Sequence, residues 1–125
     1  MTPLLFALLS VAGGIGAALR LLVDGAVRAR FGGLLPWGTI AINLSGSLVL
    51  GFLTGLADTG ELSSPALLVA GTGLLGGYTT FSTASIETVR LLQQGRIRAA
   101  LLNGFGVLVI AVLLALAGLL LGRAI

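Results

Sequence analysis

The chain has 125 residues, of which 57% are hydrophobic and 9% charged, with a net charge of +3 and a mean hydropathy of +1.15. An ordinary soluble domain carries about 25% charged residues, and a soluble core of this length could not hide so much apolar surface, so the composition points to an integral membrane protein. Having no cysteine and no histidine excludes disulfide frameworks, thiolate nucleophiles, zinc-finger patterns and the commonest general base, and seven Arg dispersed among apolar runs read as topology signals rather than as a nucleic-acid surface.

A membrane-spanning helix needs about 20 mostly apolar residues, and four stretches qualify. The first runs from about Pro3 to Val23. Met1 to Leu19 lacks the basic start and the A-x-A cleavage site of a signal peptide, so a retained helix is expected. Its segment "GGIGAALR", Gly13 to Arg20, offers a face of small residues for packing. Arg20 either snorkels to the interface or stands in an aqueous vestibule, where it would raise the local anion concentration. After the loop from Asp24 to Pro36, the second span runs from about Trp37 to Leu56 and is uncharged. Asn43 lies in its middle, where an unpaired amide is costly. It either donates to an anion or ties two helices together. Thr39 and Ser47 sit four residues to either side and share its face, which has donors and no acids. A cation pathway would more naturally carry Asp or Glu.

The third span runs from about Pro65 to Leu92 and contains "GTGLLGGYTTFSTAS", Gly71 to Ser85. Pro65 to Leu75 and Ser82 to Leu92 each read as half a helix, with a break expected near residues 76–80 because Gly76 and Gly77 remove side-chain restraint. A broken membrane helix bares carbonyls at the end of its first half, which favour a cation, and N–H groups at the start of its second, which favour an anion. The other reading is a packed glycine kink whose hydroxyls bond back to the preceding turn. Glu87 is expected to pair with an arginine or face water, with a proton-coupling role as the lesser alternative. The fourth span, from about Ala99 to Leu121, has Asn103 near its start, either at a pore mouth or in an interfacial hydrogen bond.

Short loops join these runs, and open sheets cannot sit in lipid, so an all-α bundle of four transmembrane helices in one domain is expected. Small residues four apart (Gly51 and Gly55, Gly73 and Gly77, Gly118 and Gly122) let helix backbones approach closely. So thin a bundle leaves little interior for a polar path, which favours an oligomer. Arg20, Arg28, Arg30, Arg90, Arg96 and Arg98 fall on one side of the membrane and Arg123 on the other, or four against one where Arg20 and Arg90 serve structure instead. This bias places the arginine-bearing loops in the cytoplasm and both termini outside.

Taken together, "GGIGAALR", "GTIAINLSGSLVLG", "GTGLLGGYTTFSTAS" with "IETVRLL", and "ALLN" before Gly104 resemble the Fluc (CrcB) family of fluoride channels, in order and spacing, over nearly the whole chain. The resemblance implies a fluoride-selective channel of the cell inner (plasma) membrane. Such a channel lowers cytoplasmic fluoride by passive export and is built as an antiparallel, dual-topology dimer with two pores. It also implies a structural sodium ion at the dimer centre, held by backbone carbonyls at the positions of Gly76 and Thr79. Asn43, Phe81, Ser82 and Thr83 match the family's fluoride pathway, with Arg20 as a vestibule residue. The implied partners are fluoride, a second subunit and the lipid bilayer, with no nucleic acid.

The sequence departs from the family at Ala84, where a second phenylalanine is usual, and at Ala111 and Ala115, where hydroxyls are expected. These departures and the arginine bias keep open a subunit of a heteromeric channel with an incomplete pore set, or a membrane subunit without a pore. A small proton-coupled exporter with four spans would need a carboxylate mid-membrane in the first helix, whose one charge is Arg20. An enzyme has no nucleophile–base pair or metal-ligand cluster to work with.

Overall fold

The computed structural model describes residues 1–125, all of it helix and connecting turns. Helix α1 spans Pro3–Arg30, and its N-cap hydroxyl, Thr2 Oγ1, accepts from the Leu5 N–H at 3.1 Å. It runs past Val23 into the stretch read as a loop. Arg28 Nε donates to Asp24 Oδ1 one turn earlier at 2.7 Å, a pair that supports the added turns. Helix α2 is Trp37–Asp58.

Helix α3 covers residues 64–78. Ser63 caps its first turn, Ser64–Leu67, a π-helical stretch follows over Leu68–Leu75, and α-helical geometry returns for Gly76–Tyr78. Thr79 (φ −79°, ψ 161°) and Thr80 (φ −149°, ψ 121°) are extended, and helix α4 begins afresh at Phe81 and ends at Gln93. The extended residues are therefore the two threonines, and Gly76 and Gly77 are helical. Gly77 is explained by its neighbour: a Cβ there would run into the Gly13 carbonyl. This glycine permits close approach to α1 rather than a bend. Gly95 (φ +74°) turns the chain out of α4, its N–H bonding the Leu92 carbonyl as a helix-terminating glycine does. Helix α5, Ile97–Ala124, contains a second π-helical turn at Leu102–Gly106.

Two parallel pairs build the bundle. Gly16 lies on the Leu74 carbonyl and Gly73 on Leu9, so α1 and α3 run side by side in the same direction. Gly51 lies on Ala115 and Gly55 on Leu119, while Gly118 and Gly122 lie on Leu48 and Phe52. The expected Gly51/Gly55 and Gly118/Gly122 pairs thus interlock, α2 with α5. In each case a Cβ would strike main chain of the neighbouring helix. Small residues let backbones touch, which is how helices associate where lipid is as apolar as their side chains.

At one end of the bundle Leu35 packs against Leu91, Ala99 and Ala100, joining the α1–α2 loop to the end of α4 and the start of α5. Glu87 fastens the same region. It accepts from Thr39 Oγ1 at 2.6 Å and from Arg28 Nη2 at 3.4 Å, fulfilling the expected arginine pairing. At the opposite end Arg123 grips Asp58 at 2.9 Å (Nε) and 2.6 Å (Nη2).

Only 19 of 125 residues are buried, so most large apolar side chains point outward, as they would toward lipid or another subunit. Three helices are long and apolar enough to cross a membrane: Pro3–Arg30, Trp37–Asp58 and Ile97–Ala124. The remaining expected span is represented by α3 and α4, each too short alone.

Candidate functional site

The interruption between α3 and α4 is held in place by Asn43, from the middle of α2. Its Nδ2 donates to the Thr80 carbonyl at 2.8 Å, and its Oδ1 accepts from the Thr80 N–H at 2.8 Å. The carboxamide thus pairs with an extended residue as a neighbouring strand would, satisfying both main-chain groups. Thr80 is buried, where leaving them bare would cost on the order of 1–3 kcal/mol each. Of the two readings of Asn43, tying elements together is the one its contacts display. One of its N–H groups is left for another acceptor.

Thr80 in turn caps α4. Its Oγ1 accepts from the Thr83 N–H at 3.2 Å and donates to Thr83 Oγ1 at 3.2 Å. These bonds free two carbonyls. In an unbroken helix the Thr80 N–H would serve the Gly76 carbonyl, and the Thr83 N–H would serve Thr79. Here the first goes to Asn43 and the second to Thr80 Oγ1. Gly76 and Thr79 are therefore among the residues whose carbonyls lose their helical donors, with Gly77 and Tyr78 between them, whose donors would be the first N–H groups of α4. They offer hard oxygen ligands without a side-chain charge, and no cluster of acidic side chains that could hold a metal occurs in the chain.

Most hydroxyls nearby are already engaged with main chain. Thr79 Oγ1 donates to the Leu75 carbonyl at 2.9 Å, Ser47 Oγ to Asn43 at 2.8 Å, Ser85 Oγ to Phe81 at 2.9 Å and Thr88 Oγ1 to Ala84 at 2.9 Å. Such bonds to the preceding turn are how hydroxyls are usually satisfied in membrane helices. Three escape the pattern. Ser82 and Thr72 are exposed and bond nothing in the chain, and Thr83 Oγ1 accepts from Thr80 while keeping its own hydrogen free.

A groove of about 890 Å³ runs along one side of the interruption, between α2, α3, α4 and α5. Asn43, Gly76, Thr79 and Phe81 line it, so four of the residues singled out in the sequence meet there. The Phe81 ring stands clear of the chain at 88% exposure, with an electropositive edge available to a ligand or a neighbouring subunit. Ser82, Thr83 and Arg20 lie off the groove wall. Arg20 is on α1, and its Nε is buried without any hydrogen-bond partner. The α5 wall is largely apolar where it presents Val107, Leu108 and Ala111, and Ala84 faces the same space.

Of the two readings of Asn103, its contacts display the interfacial hydrogen bond, which joins α5 to α4 through Thr88 Oγ1 at 2.8 Å. Two features escaped the sequence reading: Thr80 is the hub of the interruption, and Thr72 adds a hydroxyl to the groove. Thr80 had a legible sign, since a threonine three residues ahead of Thr83 is a favourable helix cap. The π-helical turn that carries Thr72 had none.

Comparison with known proteins places these residues in a family context. Residues 7–119, a span that contains every candidate above, match the family model described as CrcB-like protein, Camphor Resistance. The chain is 51% identical over 122 residues to the fluoride-specific ion channel FluC 1 of Leifsonia xyli subsp. xyli, covering 98% of this chain and 89% of that protein. It is 47% identical over 111 residues to FluC 2 of Mycobacterium tuberculosis strain H37Rv, covering 89% and 82%. It is 40% identical over 120 residues to FluC of Thermus thermophilus, covering 96% and 94%. These relatives are named as ion channels, a class that moves solutes rather than transforming them.

Proposed function

This chain belongs to the CrcB family, and from that premise we propose that it forms a fluoride-selective channel letting the ion leave the cytoplasm down its electrochemical gradient. A multi-pass membrane protein follows from the spans and the family together, and the cell inner membrane is the proposed location. The observation that carries the reading is the interruption at Thr79 and Thr80, where main-chain and hydroxyl groups are released beside an open groove.

Fluoride is small and strongly hydrated, so it enters a narrow path only where protein donors replace its water. The second N–H of Asn43 and the unengaged hydroxyls of Ser82 and Thr83 are such donors, and the exposed Phe81 edge adds positive electrostatic potential. None of these groups carries a full charge, so the ion would not be trapped by a permanent cation. The unpartnered Arg20 guanidinium would serve as a vestibule charge that concentrates anions ahead of the path.

In this proposal the groove is closed by a second subunit in antiparallel orientation, which accounts for the exposed Phe81 and the many outward apolar side chains. The carbonyls of Gly76 and Thr79 would hold a sodium ion at the junction. A bound cation would supply positive charge that offsets anion repulsion and ties the subunits together. The residues fit it, since neither carbonyl has its ordinary helical donor.

A second reading is favoured by the Ala84 and Ala111 faces of the groove and by the arginine bias. In it the partner is a related chain that supplies the missing polar groups. One experiment separates the readings. The purified chain is reconstituted in liposomes and fluoride efflux is followed with an ion-selective electrode. Robust efflux from the single product supports the homodimer. Efflux appearing only on adding a related chain supports the heteromer. No efflux in either case, together with failure to protect fluoride-sensitive cells, would reject the channel reading.

A further inference from the structure

One end of the bundle carries positive charge that permeation does not use. Arg30 at the end of α1, Arg90 on α4, and Arg96 and Arg98 around the start of α5 gather where Leu35 joins the two loops through Leu91, Ala99 and Ala100. All four are exposed and none forms an ion pair. The carboxylates of that end, Asp24 and Glu87, are both engaged with Arg28. The opposite end is different: Arg123 is matched by Asp58, and Glu61 adds a negative charge.

The surroundings of this charge are those of a membrane surface. Phe31 is 61% exposed, Ile97 62% and Trp37 42%, and the Trp37 indole N–H bonds nothing within the chain. Aromatic side chains beside arginines at helix ends sit at headgroup depth. The chemistry of the cations narrows the ligand further. All seven basic residues of the chain are arginine, whose planar fork engages two phosphate oxygens at once, whereas an ammonium acts as a point charge. Orienting a protein in the membrane requires positive charge alone, so the exclusive use of guanidinium is left over.

We propose that this end is a binding surface for anionic phospholipid headgroups, in which Arg30, Arg90, Arg96 and Arg98 grasp headgroup phosphates and Trp37 and Phe31 rest among the glycerol esters. The association depends on unpaired charge at the bundle end and is independent of what the groove conducts. It gives the protein a preference for bilayers rich in phosphatidylglycerol.

The test uses the full-length protein in neutral detergent, where orientation plays no part. The protein is mixed with equal amounts of phosphatidylglycerol and phosphatidylcholine, and retained lipids are counted by native mass spectrometry alongside thermal stability. The wild type is expected to retain phosphatidylglycerol preferentially. Replacing the four residues together (Arg30→Gln, Arg90→Gln, Arg96→Gln, Arg98→Gln) should erase the preference, and Arg96→Gln alone should weaken it about fivefold, the effect of one surface arginine. Arg123→Gln should leave it unchanged. A fourfold lysine replacement should retain less phosphatidylglycerol than the wild type at equal charge. Equal retention of both lipids by the wild type, undiminished preference in the fourfold glutamine variant, a lysine variant equal to the wild type, or equal stabilisation by inorganic phosphate would each overturn the proposal. None of these readouts involves fluoride, so failure here leaves the channel reading untouched.

Discussion

At the scale of single residues Asn43 holds the extended Thr80 in place with two hydrogen bonds to its main chain. Interhelical hydrogen bonds in membranes average about 0.6 kcal/mol because the separated helices find other partners. Asn43 is a stronger case, since removing it strips both main-chain groups of the buried Thr80 at once. Asn43→Ala is therefore expected to destabilise the protein by about 1–3 kcal/mol and to abolish fluoride efflux, read by a thermal melt in detergent and by liposome flux. A variant as stable as the wild type would mean that Thr80 holds its extended geometry unaided. Thr80→Val tests the other half of the clamp. It keeps the shape and the bonds to Asn43 but removes the α4 cap, with an expected cost of about 1 kcal/mol. Ser47→Ala, which deletes only a bond to the preceding turn, should stay within about 0.5 kcal/mol of the wild type.

Among the helices, glycines that touch main chain can be distinguished from glycines that touch nothing. Gly51 and Gly118 each lie against a carbonyl of the partner helix, so Gly51→Val or Gly118→Val must push α2 and α5 apart. Overpacking of this kind costs about 1–3 kcal/mol, and contact with backbone that cannot rotate away puts these two at the upper end. Gly14 has no atom within 4 Å of an added Cβ, so Gly14→Ala should leave the melting temperature unchanged or slightly raised. The same contrast explains what could be read from the sequence. The spaced glycines announced close helix contact correctly, and Asn43 stood out because an amide is conspicuous in an apolar run. Gly76 and Gly77 were misleading as markers of the bend, since backbone freedom and close approach call for the same residue. The bend lies at the end of the expected 76–80 stretch, at Thr79 and Thr80, fixed by a side chain 37 residues away, and no local pattern encodes such a partner. The π-helical stretches at Leu68–Leu75 and Leu102–Gly106 likewise left no compositional trace.

For the whole molecule, the arginine distribution and an antiparallel assembly make competing demands. Six arginines lie on one side and one on the other, and Asp58 matches that one, so the charge asymmetry survives folding. A chain with such a bias should insert in a single orientation, with both termini outside. An antiparallel pair of identical chains requires each chain to insert both ways. Reporter fusions at the C-terminus, one active only in the cytoplasm and one only outside, measure the ratio directly. The expected outcome is activity of the external reporter alone. With that result, an antiparallel channel in the cell must take its opposite half from a related chain, whose polar side chains would meet Ala84 and Ala111 across the groove. Comparable activity of both reporters would instead show that the arginines do not fix orientation, and the homodimer would then need no second gene. Exchanging charge across the membrane gives the internal check: Arg96→Gln and Arg98→Gln combined with Asp58→Lys and Glu61→Lys should shift activity toward the cytoplasmic reporter if the arginines govern insertion.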